Sequence, residues 1–146
     1  MASTLACRRA RSARGFTLIE LMIVAAIVAI LAVLAYPSYV QYIVRSNRAA
    51  AESFMQEVAA AQERFLLDNR AYAADLATLQ YASSVPASVA ANYQFSFSAV
   101  TTAPPAYTLN GVPRGSQASS DSACGTLGLS NTGNKTASGV AANCWK

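Results

Sequence analysis

The chain has 146 residues, of which 53% are hydrophobic and only 12% are charged. That length accommodates one small domain, and the high hydrophobic content excludes a disordered tail and suggests contact with a membrane. Because the sequence contains no histidine, it offers no imidazole base, no histidine-activated nucleophile and no histidine ligand for a metal. We expect no catalytic site, no cofactor and no metal, so an enzyme is the least favoured class of protein.

The formal net charge of +4 comes from the N-terminal segment. The first 15 residues contain no acid and four of the 11 basic side chains, namely Arg8, Arg9, Arg11 and Arg14. The seven basic residues of the remaining chain balance seven acidic ones. The basic isoelectric point therefore gives little support for a nucleic-acid-binding surface on the folded part of the chain.

An apolar segment follows these arginines and predicts a membrane-spanning helix. Residues 16–36 read FTLIELMIVAAIVAILAVLAY, and only Thr17 and Glu20 among them are clearly polar. A helix of this length extends about 32 Å, close to the thickness of about 30 Å of a hydrocarbon core. The positive-inside rule keeps the arginines in the cytoplasm. The sequence thus predicts a single-pass inner-membrane protein whose C-terminal part is periplasmic.

A cleaved secretory signal peptide is the alternative for this segment, since Val33 and Ala35 have the spacing of a signal-peptidase site. The apolar run exceeds the usual length of about 7–15 residues, however, and carries Glu20 near its start. An acidic side chain inside a spanning helix costs free energy and is usually paired. Glu20 is either a tolerated acid near the membrane surface or a carboxylate whose cation comes from Arg14 or another chain.

The segment RGFTLIEL, residues 14–21, closely resembles the type III signal sequence of type IV pilins and type II secretion pseudopilins. The resemblance implies that residues 1–15 are a leader, which a prepilin peptidase cuts off between Gly15 and Phe16. The same enzyme would methylate the new amino terminus of Phe16. The resemblance also implies that Glu20 acts in subunit assembly, where its carboxylate neutralises the terminal amine of a neighbouring subunit.

The helix is predicted to continue to about Asp68, well past the membrane. Pro37 removes one backbone hydrogen bond and predicts a kink near residues 33–37, where type IV pilins commonly carry a proline. Residues 37–68 are an amphipathic continuation, because apolar side chains recur at spacings of three, four and seven. The stripe consists of Val40, Ile43, Val44, Ala50, Phe54, Val58, Ala61 and Phe65.

Residues 69–146 are predicted to contain a connecting loop, a small antiparallel sheet and a disulfide-bonded C-terminal region. Apolar and polar side chains alternate from Tyr93, from Tyr107 and from Thr126, which indicates three or four short strands. Such a sheet needs the helix to bury its apolar face. The predicted fold class is α+β, with a long N-terminal helix packed on a small antiparallel sheet, as in the pilin fold that the resemblance implies.

The three cysteines divide between the leader and the C-terminal region. Cys7 would leave with the leader, so Cys124 and Cys144 remain as an even pair in an oxidising compartment. A disulfide is therefore predicted, and closing a loop of that size contributes about 3 kcal/mol. Two thiols without a histidine make an incomplete metal site. Pilins typically carry such a bridge, and the terminal Cys144-Trp145 resembles a subgroup of minor pilins.

The favoured function is a structural subunit of a type IV pilus, which starts in the inner membrane and ends in the extracellular filament. The expected partners are the prepilin peptidase, other pilin subunits, the inner-membrane pilus assembly machinery and, before assembly, membrane lipid. One alternative is a type II secretion pseudopilin, which the cysteine pair and the lack of an acidic calcium-binding loop disfavour. Another is a pilus-displayed subunit for DNA uptake or adhesion. Weak support for a nucleic-acid partner comes from Arg70, Arg114, Lys135 and Lys146.

Overall fold

The structure is a computed structural model that describes residues 15–140 and 143–145. Its elements in chain order are α1 (Leu18–Asn69), α2 (Ala87–Ala90), β1 (Tyr93–Thr102), β2 (Pro105–Pro113), α3 (Gly115–Ser120), β3 (Leu127–Ser130) and β4 (Lys135–Ala137). The chain divides into two compact units, Met1–Ser38 and Tyr39–Lys146. The leader arginines and Cys7 lie outside the described residues.

Helix α1 is capped at both ends. The N–H of Glu20 donates to Thr17 Oγ1 at 3.3 Å, so Thr17 satisfies one of the free donors of the first turn. At the other end Arg70 adopts a φ of 58°, and its N–H donates to the Leu66 carbonyl at 2.7 Å. This left-handed residue ends the helix. The predicted long helix is thereby confirmed, with small differences at both ends.

The described part of the first unit contains Gly15, Phe16, Thr17 and the apolar N-terminal part of α1. This helix is long and apolar enough to cross a membrane, judged by length and composition. Its large apolar side chains between Phe16 and Leu34 are exposed in the single chain. The helix continues through Pro37 without interruption. The kink predicted at this proline remains a prediction.

The second unit contains a four-stranded sheet in the order β1-β2-β3-β4, in which each strand is antiparallel to the next. The strands β1 and β2 pair along most of their length, from Tyr93 opposite Pro113 to Thr102 opposite Pro105. The turn between β3 and β4 has Gly133 at a φ of 77°, a conformation that glycine adopts without steric cost. The predicted antiparallel sheet is confirmed, whereas the short helices α2 and α3 were not predicted.

The core of the second unit lies between α1 and one face of the sheet. The buried side chains of α1 in this core are Ala51, Phe54, Met55 and Val58. The sheet contributes Tyr93, Tyr107, Leu109, Leu127 and Leu129. Helix and sheet approach closely at Gly111 of β2, where an added Cβ would lie 3.1 Å from Met55 Sδ. The absence of a side chain at Gly111 therefore leaves room for Met55 between the helix and the sheet.

The buried face of α1 is rotated slightly from the predicted stripe. Val44, Phe54, Val58 and Ala61 are buried as predicted. Ala50 is exposed and the neighbouring Ala51 is buried in its place, while Ile43 keeps 38% of its surface exposed. Successive residues point about 100° apart around a helix, so an error of one position moves a side chain from the core to solvent.

Candidate functional site

The predicted processing motif lies immediately before α1. Gly15, Phe16 and Thr17 precede the first helical residue, and the side chain of Phe16 is 83% exposed. The Gly15–Phe16 peptide bond is therefore outside the helix, with its backbone free of the helical hydrogen-bond ladder. Exposed backbone outside regular structure is where proteases cut most readily.

Glu20 lies in the first turn of α1, where the helix dipole favours a negative charge. Its backbone N–H is the donor that Thr17 Oγ1 accepts. The spacing of threonine, two intervening residues and glutamate is a capping-box pattern. Sequence reasoning missed this cap, although the pattern is readable in residues 17–20. The carboxylate is exposed in the single chain and lies one helical turn from Phe16.

A buried polar cluster connects α1 with β1 and α3. Arg48 Nε donates to Asp121 Oδ2 at 3.0 Å, and Arg48 Nη2 donates to Oδ1 of the same carboxylate. The Tyr93 hydroxyl and Gln117 Nε2 each donate to Asp121 Oδ2 at 3.1 Å. The hydrogen bond to Asp121 raises the pKa of Arg48, and burial raises the pKa of Tyr93. This cluster holds the domain together and offers no reactive group.

The predicted disulfide is present between Cys124 and Cys144, whose Cα atoms are 5.4 Å apart. Arg48 also reaches this region, because its Nη1 donates to the Asn143 carbonyl at 3.4 Å. The same guanidinium therefore contacts residues close to both ends of the bridged segment. Among residues 15–140 and 143–145, no group of three or more acidic, cysteine or histidine side chains is arranged to hold a metal ion.

A groove of about 410 Å³ lies between α1 and the end of the sheet where β3 turns into β4. Its α1 wall consists of Gln56, Ala59, Ala60 and Glu63. The opposite wall includes Tyr107, Leu129, Ser130, Asn131 and Lys135. The Tyr72 hydroxyl donates to Glu63 Oε1 at 3.0 Å and so orients this carboxylate. The groove thus has a carboxylate on one wall and an ammonium on the other.

The cation of this groove stands over an aromatic ring. Lys135 Nζ lies 5.3 Å from the ring centroid of Trp145, within the range of a cation–π interaction. Trp145 is itself held by a hydrogen bond from its Nε1 to the Thr136 carbonyl, at 2.6 Å. Sequence reasoning counted Lys135 among scattered cations. The contact between Lys135 and Trp145 could not be predicted from the sequence, because it depends on the C-terminal segment lying beside β4.

Together, the features described above define a type IV pilin subunit. They are a long helix with an apolar N-terminal half, an antiparallel sheet packed on the second half of that helix, the Gly15–Phe16 motif and the Cys124–Cys144 bridge. Residues 10–36 match the prokaryotic N-terminal methylation motif. Residues 37–128, more than half of the chain, match the family described as type IV minor pilin ComP, DNA uptake sequence receptor. The chain belongs to this family of type IV minor pilins.

The chain is accordingly a subunit of a type IV pilus. Its family is structural rather than catalytic, and membership implies other pilin subunits and a prepilin peptidase as partners. The methylation motif and the long apolar helix indicate anchoring in a membrane. No individual curated protein matches the chain.

Proposed function

We propose that the chain is synthesised as a prepilin, cut between Gly15 and Phe16 and methylated at Phe16. The position of this bond before the Thr17 cap supports the proposal, because the peptidase can bind it without unwinding α1. In this proposal residues 1–15 are the leader, and residues 16–36 are first a membrane span and then part of the filament core. The chain is a substrate of an enzyme and has no catalytic function of its own.

Residues 37–68 continue the helix, and residues 69–146 complete the domain that the filament displays. Before assembly this domain lies in the periplasm and residues 16–36 lie in inner-membrane lipid. The pilus assembly machinery then moves the subunit into the extracellular filament. The kink predicted at Pro37 would bend α1 directly after residues 16–36. The exposed apolar side chains of the first unit support this transfer, since they need either lipid or other helices around them.

Glu20 has a specific role in this transfer. Cleavage removes the leader arginines and creates an ammonium at Phe16, while the Glu20 carboxylate lies one turn further along α1. We propose that Glu20 of one subunit pairs with the Phe16 ammonium of the next. After desolvation such a pair contributes little stability, but it fixes the axial register of neighbouring helices.

The Glu20→Ala variant tests this assembly step. We expect normal cleavage and methylation, measured by mass spectrometry of the membrane fraction, and a strong loss from sheared filaments. Glu57→Ala removes an exposed carboxylate further along α1 and serves as the control that keeps filament incorporation. Incorporation of Glu20→Ala at the level of the Glu57→Ala control would contradict the pairing.

We further propose that this minor pilin binds DNA at the pilus surface. The observation that carries this proposal is the match of residues 37–128 to a family described as DNA uptake sequence receptor. The folded part of the chain is close to neutral, so a small number of basic side chains must supply the contacts to phosphate. A DNA complex of this kind weakens only moderately as salt rises, because few counterions are released.

Binding can be measured with the full-length mature chain in detergent micelles and fluorescein-labelled fragments of DNA from the source organism. We expect saturable binding that weakens with salt and is competed less well by unrelated DNA of the same base composition. If the mature chain binds neither the DNA of the source organism nor the unrelated DNA at low salt, the proposed receptor function is wrong. The role of the chain as a pilus subunit would be unaffected by that result.

A further inference from the structure

We propose that the groove between α1 and the β3–β4 turn holds one unstacked nucleotide of the bound DNA. In this arrangement Lys135 contacts the phosphate, and Asn131 and Glu63 contact the edge of the base. The proposal rests on the DNA-binding function proposed above and names the site where that binding takes place.

The dimensions of the groove favour a single nucleotide. Its volume of about 410 Å³ lies in the range of about 300–1,000 Å³ that is typical of small-ligand sites. A double helix is read by protein elements that protrude into its grooves, because the major groove itself is about 12 Å wide. A concave site receives instead a base that has left the stack or belongs to a single strand.

The chemistry of the walls suits a nucleotide in one orientation. Ala59 and Ala60, whose side chains are small, and the mostly buried Leu129 give the groove an apolar part that a base would border. Asn131 carries an amide, the group that pairs with two positions of adenine, and Glu63 carries a carboxylate, which accepts from the amino group of cytosine. The carboxylate repels phosphate, so the phosphate should lie towards the opposite wall.

The opposite wall carries the cation that this orientation requires. Lys135 lines the groove, and its Nζ is placed over the ring of Trp145 at 5.3 Å. The contact with the ring limits the movement of the ammonium and so reduces the entropy lost when a phosphate binds. Trp145 is the single tryptophan of the sequence. Trp145 does not itself line the groove, but its fluorescence should respond when Lys135, which does, changes its contact with the ring.

The test uses the full-length mature chain in detergent micelles with two probes, a random 12-nucleotide single strand and the corresponding duplex. We expect tighter binding of the single strand, with a change in Trp145 emission. Ala60→Phe fills the groove and should weaken single-strand binding at least about tenfold, which is the order of effect of losing one stacked base. Lys135→Gln should weaken it about tenfold and reduce the salt dependence. The control is Arg64→Gln, because Arg64 is an exposed cation on α1 outside the groove. This variant should change binding less than about twofold.

The possible outcomes distinguish an error about the groove from an error about DNA binding as a whole. If the wild type binds DNA and both Ala60→Phe and Lys135→Gln bind it equally well, the groove is not the site and the receptor function stands. If Ala60→Phe loses filament incorporation but keeps DNA binding, the groove contacts another subunit and the inference is wrong. If the wild type binds no DNA, the receptor function itself fails. Urea unfolding would show whether Ala60→Phe unfolds, and in that case Asn131→Ala, at a half-buried position of the β3–β4 turn, repeats the test.

Discussion

Arg48 in α1 and Asp121 after α3 form a two-point ion pair between positions 73 residues apart in the sequence. The side chain of Asp121 is only 2% exposed and that of Arg48 is 13% exposed. The buried carboxylate is further satisfied by Tyr93 and Gln117. Since a buried charge is tolerated only when it is paired and hydrogen-bonded, this contact fixes α3 and the following segment against α1.

We predict that Asp121→Ala lowers the free energy of unfolding by about 3 kcal/mol, because it leaves the guanidinium of Arg48 partly buried without its partner. The value is at the lower end of the range for buried pairs, as Arg48 retains some contact with water. Urea unfolding of the second unit, followed by circular dichroism, measures the change. Arg64→Gln, at an exposed position, should stay within about 0.5 kcal/mol of the wild type. Equal stability of the two variants would show that the ion pair has no structural role.

The disulfide should contribute about 3 kcal/mol to stability, because it joins cysteines separated by 20 positions and restricts the unfolded chain. The double variant Cys124→Ala with Cys144→Ala should lose this amount and become insensitive to reducing agent. The wild type should show the same loss only after reduction. A double variant as stable as the oxidised wild type would exclude a stabilising role for the bridge.

Tyr107 predicts a decline in stability at alkaline pH. Burial raises the pKa of this phenol from 10.0 to about 12, so the folded chain keeps the proton to higher pH than the unfolded chain. The stability from this group is complete below pH 10 and is lost as pH rises towards 12, by up to about 1.4 kcal/mol per pH unit. Tyr107→Phe should remove this part of the decline, measured by urea unfolding across the pH range. Tyr42→Phe, at an exposed position of α1, is the control and should keep the wild-type profile.

Gly15 provides a clean test of peptidase recognition. Among the described residues, no atom other than those of Gly15 and its chain neighbours lies within 4 Å of the position that a Cβ at Gly15 would occupy, so a larger side chain should be tolerated sterically in this part of the structure. We predict that Gly15→Val accumulates as a membrane-bound precursor that keeps residues 1–15. The mass of the membrane form measures this outcome. Complete processing of Gly15→Val would mean that the cut falls elsewhere.

The long helix, the sheet and the disulfide were predictable because each depends on local patterns. The apolar run, the alternation from Tyr93 and the even pair of cysteines are all visible without tertiary information. The helices α2 and α3 were missed because four and six residues are too few to show a helical period. The Thr17 cap was visible in the sequence and was overlooked.

The contacts that build the groove and the buried cluster could not be predicted from local patterns. Arg48 meets Asp121, and Lys135 meets Trp145, only after the sheet has packed on α1 and the C-terminal segment lies beside β4. Their side chains are ordinary polar residues in the sequence, with no spacing that marks them. Long-range packing decides which of several scattered cations becomes part of a site.

The most direct test of the account is the mass of this chain in filaments sheared from cells and purified. We predict a single species that begins at N-methylated Phe16, keeps residues 16–36 and contains the oxidised Cys124–Cys144 bridge. A species that begins near Tyr36, or a processed chain that is never recovered with filaments from cells that assemble pili, would contradict the claim that the apolar helix is retained and built into the pilus.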